Sequence, residues 1–161
     1  MKKVKMATID VAKAYAVIRE GKLTNLDAED KIKVWKTALA LKPIADKYND
    51  DSEDAREKMK PENYDDDLMK AQEFERMSRT PNADMTALQM GPAEYNEFIN
   101  RNVTYQRIVN DAMKDFAKKE VEIDVEQVSL DTLMSLQKQN GWTVEQMMAV
   151  AFIVEDKKEG D

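Results

Sequence analysis

The stretch Glu120-Val121-Glu122-Ile123-Asp124-Val125 alternates acidic and apolar side chains over six residues. This period of two predicts a half-buried β-strand, because successive side chains of a strand point to opposite faces of a sheet. The segment Lys2-Lys3-Val4-Lys5-Met6 shows the same alternation with basic residues. Opposite charges that face each other across two strands are favourable. We therefore predict a small sheet that pairs residues 3–6 with residues 121–125.

A long helix is predicted after Asp27, because apolar residues then recur at spacings of three and four. The members of this stripe are Ala28, Ile32, Trp35 and Leu39. A tryptophan within such a stripe is typical of a helix face that packs on a core. Pro43 interrupts the pattern, so we expect the helix to kink or restart there and to end near Tyr48.

A second long stripe predicts a helix from Pro92 or Ala93 to about Lys119. Its spacings alternate between three and four, as in a coiled-coil seam. The members are Tyr95, Phe98, Asn102, Tyr105, Val109, Ala112 and Phe116. The two stripes match, so the segments 28–48 and 93–119 are predicted to pack antiparallel.

Shorter helices complete the predicted fold. A first helix is expected from Thr8 to Arg19, and two C-terminal helices begin after Ser129 or Asp131 and after Thr143, all good N-cap residues. The predicted class is thus mainly α (α+β), with long antiparallel helices, a small two-stranded sheet and short C-terminal helices. A length of 161 residues suits one domain, residues 1–161.

Two segments of the predicted domain lack a clear apolar pattern. Residues 49–67 contain nine acidic and three basic side chains and few apolar ones, so we predict a mobile acidic segment. A loop is predicted at about 80–92, because turn-forming residues gather there. These residues are Pro81, Asn82, Gly91 and Pro92.

The composition removes most catalytic chemistry. The chain has no cysteine and no histidine, which excludes nucleophilic triads, thiolate catalysis and imidazole metal ligands. The acidic run from Asn49 has Asp54 and Lys60 where a calcium loop needs glycine and glutamate. We therefore predict no catalytic, cofactor-binding or metal-binding residue and no enzymatic activity; an enzyme that uses only carboxylates is the remaining alternative, for which the 32 acidic residues nominate no pair.

The charge and hydropathy patterns restrict the partners. A net charge of −7 disfavours nucleic acid, and no run of about 18 apolar residues predicts a membrane span. No signal peptide is predicted, because Asp10 and Lys13 interrupt the N-terminal apolar region, so a cytoplasmic location is expected. The expected partner is another protein or a second copy of the chain.

The order of elements resembles a family of small uncharacterised proteins encoded by tailed bacteriophages and prophages of Gram-positive bacteria. The resemblance starts with the lysine-rich residues 2–6 and a helix at 10–20. It continues with a linker at 21–26 and a long helix at 27–48 that contains Lys42-Pro43, followed by acidic residues from Asn49. Its closest local match is the segment 120–125, which precedes Val128, Leu130 and Leu133. The resemblance implies a phage or prophage context, in the host cytoplasm or associated with the virion.

The leading functional prediction is a non-enzymatic phage or prophage accessory or assembly protein that acts by protein–protein contact. The apolar final helix, residues 144–154, is the first candidate contact, with Met147, Met148 and Ile153 as partner-binding residues. The alternative is an acidic inhibitor or decoy of a host nuclease or defence protein. In that case the contact residues are Asp50, Asp51, Glu53 and Asp54.

Overall fold

Two strands and six α-helices follow one another along residues 1–156, the part of the chain that the computed structural model describes. The strands are β1 (Lys2–Ala7) and β2 (Glu120–Val125). The helices are α1 (Thr8–Glu20), α2 (Ala28–Met59), α3 (Tyr64–Ser78), α4 (Pro92–Lys118), α5 (Leu130–Asn140) and α6 (Val144–Val150). Short 3-10 helices occupy Met85–Ala87 and Ala151–Ile153. The fold is 71% helical with a two-stranded antiparallel sheet, which confirms the predicted class.

The predicted sheet is present with the expected partners. β1 and β2 are antiparallel, with Lys3 opposite Asp124 and Lys5 opposite Glu122. These four side chains are exposed on one face of the sheet. Lys3 Nζ lies 3.0 Å from Glu122 Oε1 across the strand pair. The opposite face is apolar, and its central residue Ile123 is buried in the core.

The chain divides into two compact units. Unit 1 contains residues 1–51 and 115–161, of which 1–51 and 115–156 are described, and unit 2 contains residues 52–114. Each unit has its own cluster of buried apolar side chains. The single domain, the mobility of residues 49–67 and the loop at 80–92 stay predictions.

The core of unit 1 gathers side chains from both ends of the sequence. Its largest fully buried side chains are Leu41, Leu136, Ile153, Val11, Val125, Val128 and Val150. Thr37 lies among them and is 1% exposed. Its Oγ1 accepts a hydrogen bond from the Glu126 amide at 3.1 Å and donates to the Glu126 carbonyl at 3.4 Å. This double contact joins α2 to the residue that follows β2 and satisfies a buried hydroxyl.

The buried face of α2 differs from the predicted one. The predicted stripe faces solvent, since Ile32, Trp35 and Leu39 are 51%, 57% and 47% exposed. The buried side chains of α2 are instead those of Val34, Thr37, Leu41 and Ala45, which also recur at spacings of three and four. The Thr37 hydroxyl on this face also bonds to both backbone groups of Glu126, which joins the face to the residue after β2. The prediction that Trp35 packs in the core is therefore wrong.

The end of α2 was also predicted wrongly. The helix does not stop near Tyr48 but continues through Pro43 to Met59. Pro43 is exposed, so the backbone carbonyl that lacks its helical partner can be hydrated. Pairs of opposite charge at i and i+4 support the helix beyond the proline. They are Lys42 with Asp46 and Lys47 with Asp51.

The long helices make contact at the end of α2 rather than along the predicted stripe. Within unit 1, the ring of Tyr48 stacks on that of Phe116 at 5.8 Å. Within unit 2, the Tyr105 hydroxyl donates to the carbonyl of Arg56 at 2.5 Å. The predicted stripe of α4 is correct at its centre, because Phe98, Tyr105 and Val109 are buried.

Unit 2 has a small core built on aromatic side chains. Phe98 is 4% exposed and clusters with Ala71 and Met90. The ring of Tyr64 lies 5.8 Å from that of Phe98, and its hydroxyl donates to Asn102 Oδ1 at 2.9 Å. Asn102, the polar member of the predicted seam, thus has a defined partner.

Replacing Phe98 should destabilise the protein strongly. Phe98→Ala removes a buried ring from the core of unit 2, and such changes cost about 3–5 kcal/mol. Denaturant titration of wild type and variant measures the difference. Val103→Ala is the matched control, because Val103 is 65% exposed on the same helix and should change stability little. Equal midpoints for wild type and Phe98→Ala would contradict this core.

Replacing Thr37 tests the double hydrogen bond in unit 1. Thr37→Val keeps the shape of the side chain but leaves the amide and carbonyl of Glu126 without their partner, so we expect a loss of about 1–3 kcal/mol. Thr37→Ser retains the hydroxyl and should be destabilised less, by the loss of one methyl group. A Thr37→Ser variant less stable than Thr37→Val would show that the methyl group matters more than the hydrogen bonds.

Candidate protein interface

Residues of α5, of α6 and of the turn between them line a shallow, open apolar groove of about 470 Å³ in unit 1. We call it the methionine groove; it is lined by Leu133, Met134, Gln137, Trp142, Val144, Met147, Met148 and Ala151. Three large apolar side chains of the groove face solvent: Met134 is 51%, Val144 77% and Met148 73% exposed. An apolar surface of this kind on a folded chain is typical of an interaction site.

Local sequence signals fix the two helices that form the groove. The Ser129 side chain caps α5, and Gly141, at a φ of 61°, ends it in the left-handed conformation that favours glycine. α6 then begins with a capping box, in which Thr143 Oγ1 accepts from the Gln146 amide and Gln146 Oε1 accepts from the Thr143 amide. These caps define a tight α5–α6 turn.

The Trp142 side chain is buried at the α5–α6 turn. The residue is 7% exposed, and its backbone carbonyl accepts a hydrogen bond from Gln137 Nε2 at 3.3 Å. A Cβ atom on Gly21 would lie 3.2 Å from Trp142 Cζ2 and 3.2 Å from the Ile18 carbonyl. Glycine at position 21 therefore allows the indole ring to lie against the end of α1.

Asn140 joins α5 to the segment that follows α1. Its Oδ1 accepts from the Lys22 amide at 2.7 Å, and its Nδ2 donates to the Lys22 carbonyl at 3.0 Å. The side-chain amide thus bonds both backbone groups of one residue, as a neighbouring strand would. This contact and the capped turn place the groove on a rigid scaffold, which suits a preformed binding site.

Of the three partner-binding residues predicted in the last helix, two line the groove and one is buried in the core. Met147 is half-buried and Met148 exposed, and both line the methionine groove. Ile153 is 1% exposed, so it is a core residue and cannot contact a partner in the folded chain. The reason is that the chain leaves α6 through the 3-10 helix Ala151–Ile153, and the Ile153 carbonyl accepts from the Val128 amide at 2.8 Å. Met134 and Val144 were not predicted, although each lies four residues from another exposed apolar side chain, Leu130 and Met148 respectively.

The acidic residues of the alternative prediction lie in the second half of α2. Asp50 and Asp51 belong to unit 1, and Asp51 Oδ2 is 2.9 Å from Lys47 Nζ. Glu53 and Asp54 belong to unit 2 and are exposed. Their part in binding a basic partner stays a prediction.

The exposed stripe of α2 is a second apolar surface of unit 1. We call Ile32, Trp35 and Leu39 the α2 ridge; it is flanked by the exposed side chains of Lys31, Lys36 and Lys42. The Lys42 ammonium donates to Asp46, and this hydrogen bond raises the pKa of Lys42 above its usual value.

Within residues 1–156 we found no group of three or more acidic side chains placed to hold a metal ion. In the same range, none of the helices combines the length and the apolar character needed to cross a bilayer. No protein-family model, curated protein or solved structure matches the chain. The resemblance to phage-encoded proteins therefore stays a prediction from the order of the elements.

The two tryptophans should report opposite environments. In Trp142→Phe the remaining Trp35 is 57% exposed, so its emission should lie at long wavelength and be quenched strongly by acrylamide. In Trp35→Phe the remaining Trp142 is 7% exposed, so its emission should lie at shorter wavelength and be quenched weakly. The reverse order would mean that the α2 ridge faces the core. Circular dichroism of both variants checks that they are folded.

Proposed function

We propose that the chain is a non-enzymatic accessory or assembly protein of a bacteriophage or prophage, and that it binds a partner protein through the methionine groove. The observation that carries the proposal is the exposure of Met134, Val144 and Met148 around a preformed groove in unit 1. Burial of such side chains by a partner removes apolar area from water, which is the main driving force for association.

The groove suits an amphipathic helix of the partner. A shallow apolar groove lined by two helices can receive the apolar face of a third helix, which is the geometry of helix-in-groove complexes. Both helices present exposed apolar side chains to the groove: Met134 on α5, and Val144 and Met148, one turn apart, on α6. Methionine side chains are flexible and polarisable, so they adapt to the shape of the inserted side chains.

The groove is a better candidate for the partner site than the acidic side chains of α2. Its apolar residues line one groove, whereas the four acidic residues lie along α2, where Asp51 is already paired with Lys47. The cytoplasmic phage context rests on the resemblance of the sequence pattern. The absence of cysteine and histidine supports a non-enzymatic role.

A single charge in the groove should abolish partner binding. Val144 is 77% exposed at the start of α6, where glutamate suits the helix, so Val144→Glu should fold normally while placing a carboxylate in the groove. Affinity capture from infected or lysogenic cells, followed by titration of the purified partner, should show binding to wild type and a loss of at least about tenfold in Val144→Glu, since an unpaired charge is buried.

Val103→Glu is the matched control for this experiment, because Val103 is 65% exposed in unit 2 and outside the groove. It should bind the partner like wild type. Salt separates the two candidate functions: groove binding should vary little with ionic strength, whereas an acidic decoy should weaken steeply as the Debye length shortens from about 10 Å. Unchanged binding of Val144→Glu, together with a steep salt dependence, would contradict the proposal and favour the inhibitor.

A further inference from the structure

The outer edge of β1 has backbone groups with no partner strand. In an antiparallel pair, residues alternate between those whose backbone faces the partner and those whose backbone points away. The Thr8 amide donates to the Lys119 carbonyl at 2.9 Å, which sets this alternation. By the register of the strands, Val4 and Met6 then bond to β2, whereas the N–H and C=O groups of Lys3 and Lys5 point away from it. Among the described residues, the sheet contains no third strand beside β1.

The apolar side chains of β1 are incompletely covered on the face that packs on the core. Val4 and Met6 are only half-buried, whereas Ile123 and Val125 of β2 are 3% and 0% exposed. β1 is therefore the peripheral strand of the sheet. A strand added at its outer edge would cover Val4 and Met6 further.

A cavity of about 390 Å³ lies next to Met6. Its other lining residues come from α1, α6 and the turn after α6, and none comes from β2. They are Asp10, Lys13, Glu145, Met148, Ala149 and Phe152. Three of its seven lining residues are charged, and the apolar part, formed by Met6, Met148, Ala149 and Phe152, could receive one apolar side chain of a strand that runs along β1.

The charges of β1 indicate the chemistry of such a strand. Lys3 and Lys5 are exposed on the outer face of the sheet. β2 places Asp124 opposite Lys3 and Glu122 opposite Lys5, so the structure already shows which side chains pair with this strand. Lys5 has no ion-pair partner within 4.0 Å among the described residues. An added strand with acidic residues at alternate positions would place carboxylates beside both lysines.

We propose that the free edge of β1 binds an extended segment of a partner protein as a third strand, with alternating acidic side chains beside Lys3 and Lys5 and an apolar side chain in the cavity at Met6. Main-chain hydrogen bonds to Lys3 and Lys5 provide the binding, and the alternation of charges provides the specificity. A strand opposite β1 with basic residues at these positions would be repelled. This contact is separate from the proposed function of the methionine groove, with which its cavity shares only Met148.

The test uses a synthetic peptide that alternates glutamate with valine and a scrambled peptide of the same composition. We expect the alternating peptide to bind the full-length protein and to slow the hydrogen exchange of the Lys3 and Lys5 amides, as measured by NMR. The Val4 and Met6 amides, which bond to β2, should stay protected throughout. Faster exchange at Val4 and Met6 would mean that the peptide displaces β2, and no slowing at Lys3 and Lys5 would equally overturn the proposal.

Two variants separate the backbone contribution from the charge. Lys5→Gln removes the charge but keeps the outward N–H, and Lys5→Pro removes both, at an edge position where proline is tolerated. Affinity should fall in the order wild type, Lys5→Gln, Lys5→Pro, with about a tenfold loss for proline from one hydrogen bond and one charge pair. Two N-methylated peptides, each methylated on one set of alternate backbone amides, give a second readout. Only one set of amides can face β1, so methylation of that set alone should weaken binding.

The groove variant Val144→Glu should bind the alternating peptide like wild type, since Val144 is not part of the cavity at Met6. This control separates the two contacts: failure of the groove proposal leaves the peptide result unchanged, and failure of strand addition leaves partner capture by the groove unchanged. Equal affinities for the alternating and scrambled peptides, or for wild type and Lys5→Pro, would overturn strand addition.

Discussion

The pairing of β1 with β2 is the contact on which unit 1 depends. It joins Lys2 to Val125 and Ala7 to Glu120, so the two strands close a loop of more than a hundred residues. Closing such a loop has an entropic cost, although the cost grows only slowly with length. Burial of Ile123 and Val125, the hydrogen bonds of Thr8 to Lys119 and the double contact of Thr37 with Glu126 offset it. The core, the α5–α6 turn and the groove are all assembled on this closed frame.

Helices and strands could be predicted from the sequence where a single periodicity or capping signal was present. The period of two in β2 has a basic counterpart in β1, and no other segment offers the same complementarity. Capping residues such as Thr143 act within a few residues of themselves, so their effect is independent of the remaining fold. The buried face of α2 could not be predicted in this way. α2 carries two apolar stripes. The sequence pattern favoured the stripe with the larger side chains, Ile32 and Trp35, but this stripe faces solvent.

The candidate site was predictable only in part, because some of its residues are placed by contacts between distant parts of the chain. Met147 and Met148 belong to an apolar segment, and the sequence indicated a contact there. The exclusion of Ile153 depends on a 3-10 helix and on a hydrogen bond to Val128, which lies 25 residues earlier in the chain. Such a long-range contact has no local signature. The contribution of Met134 likewise depends on how the turn at Gly141 places α5 beside α6.

The order in which the units occur along the chain also affects how the protein is made. Unit 2 is one continuous segment, residues 52–114, whereas unit 1 needs both ends of the sequence. At translation rates of roughly 5–20 residues per second, β1 leaves the ribosome several seconds before β2 is synthesised. The buried cluster of unit 2 lies wholly within residues 52–114, so all of its residues are synthesised while β1 still lacks a partner. The alternating lysines of β1 would repel an identical strand of a second chain, which disfavours edge-to-edge association while β1 is unpaired.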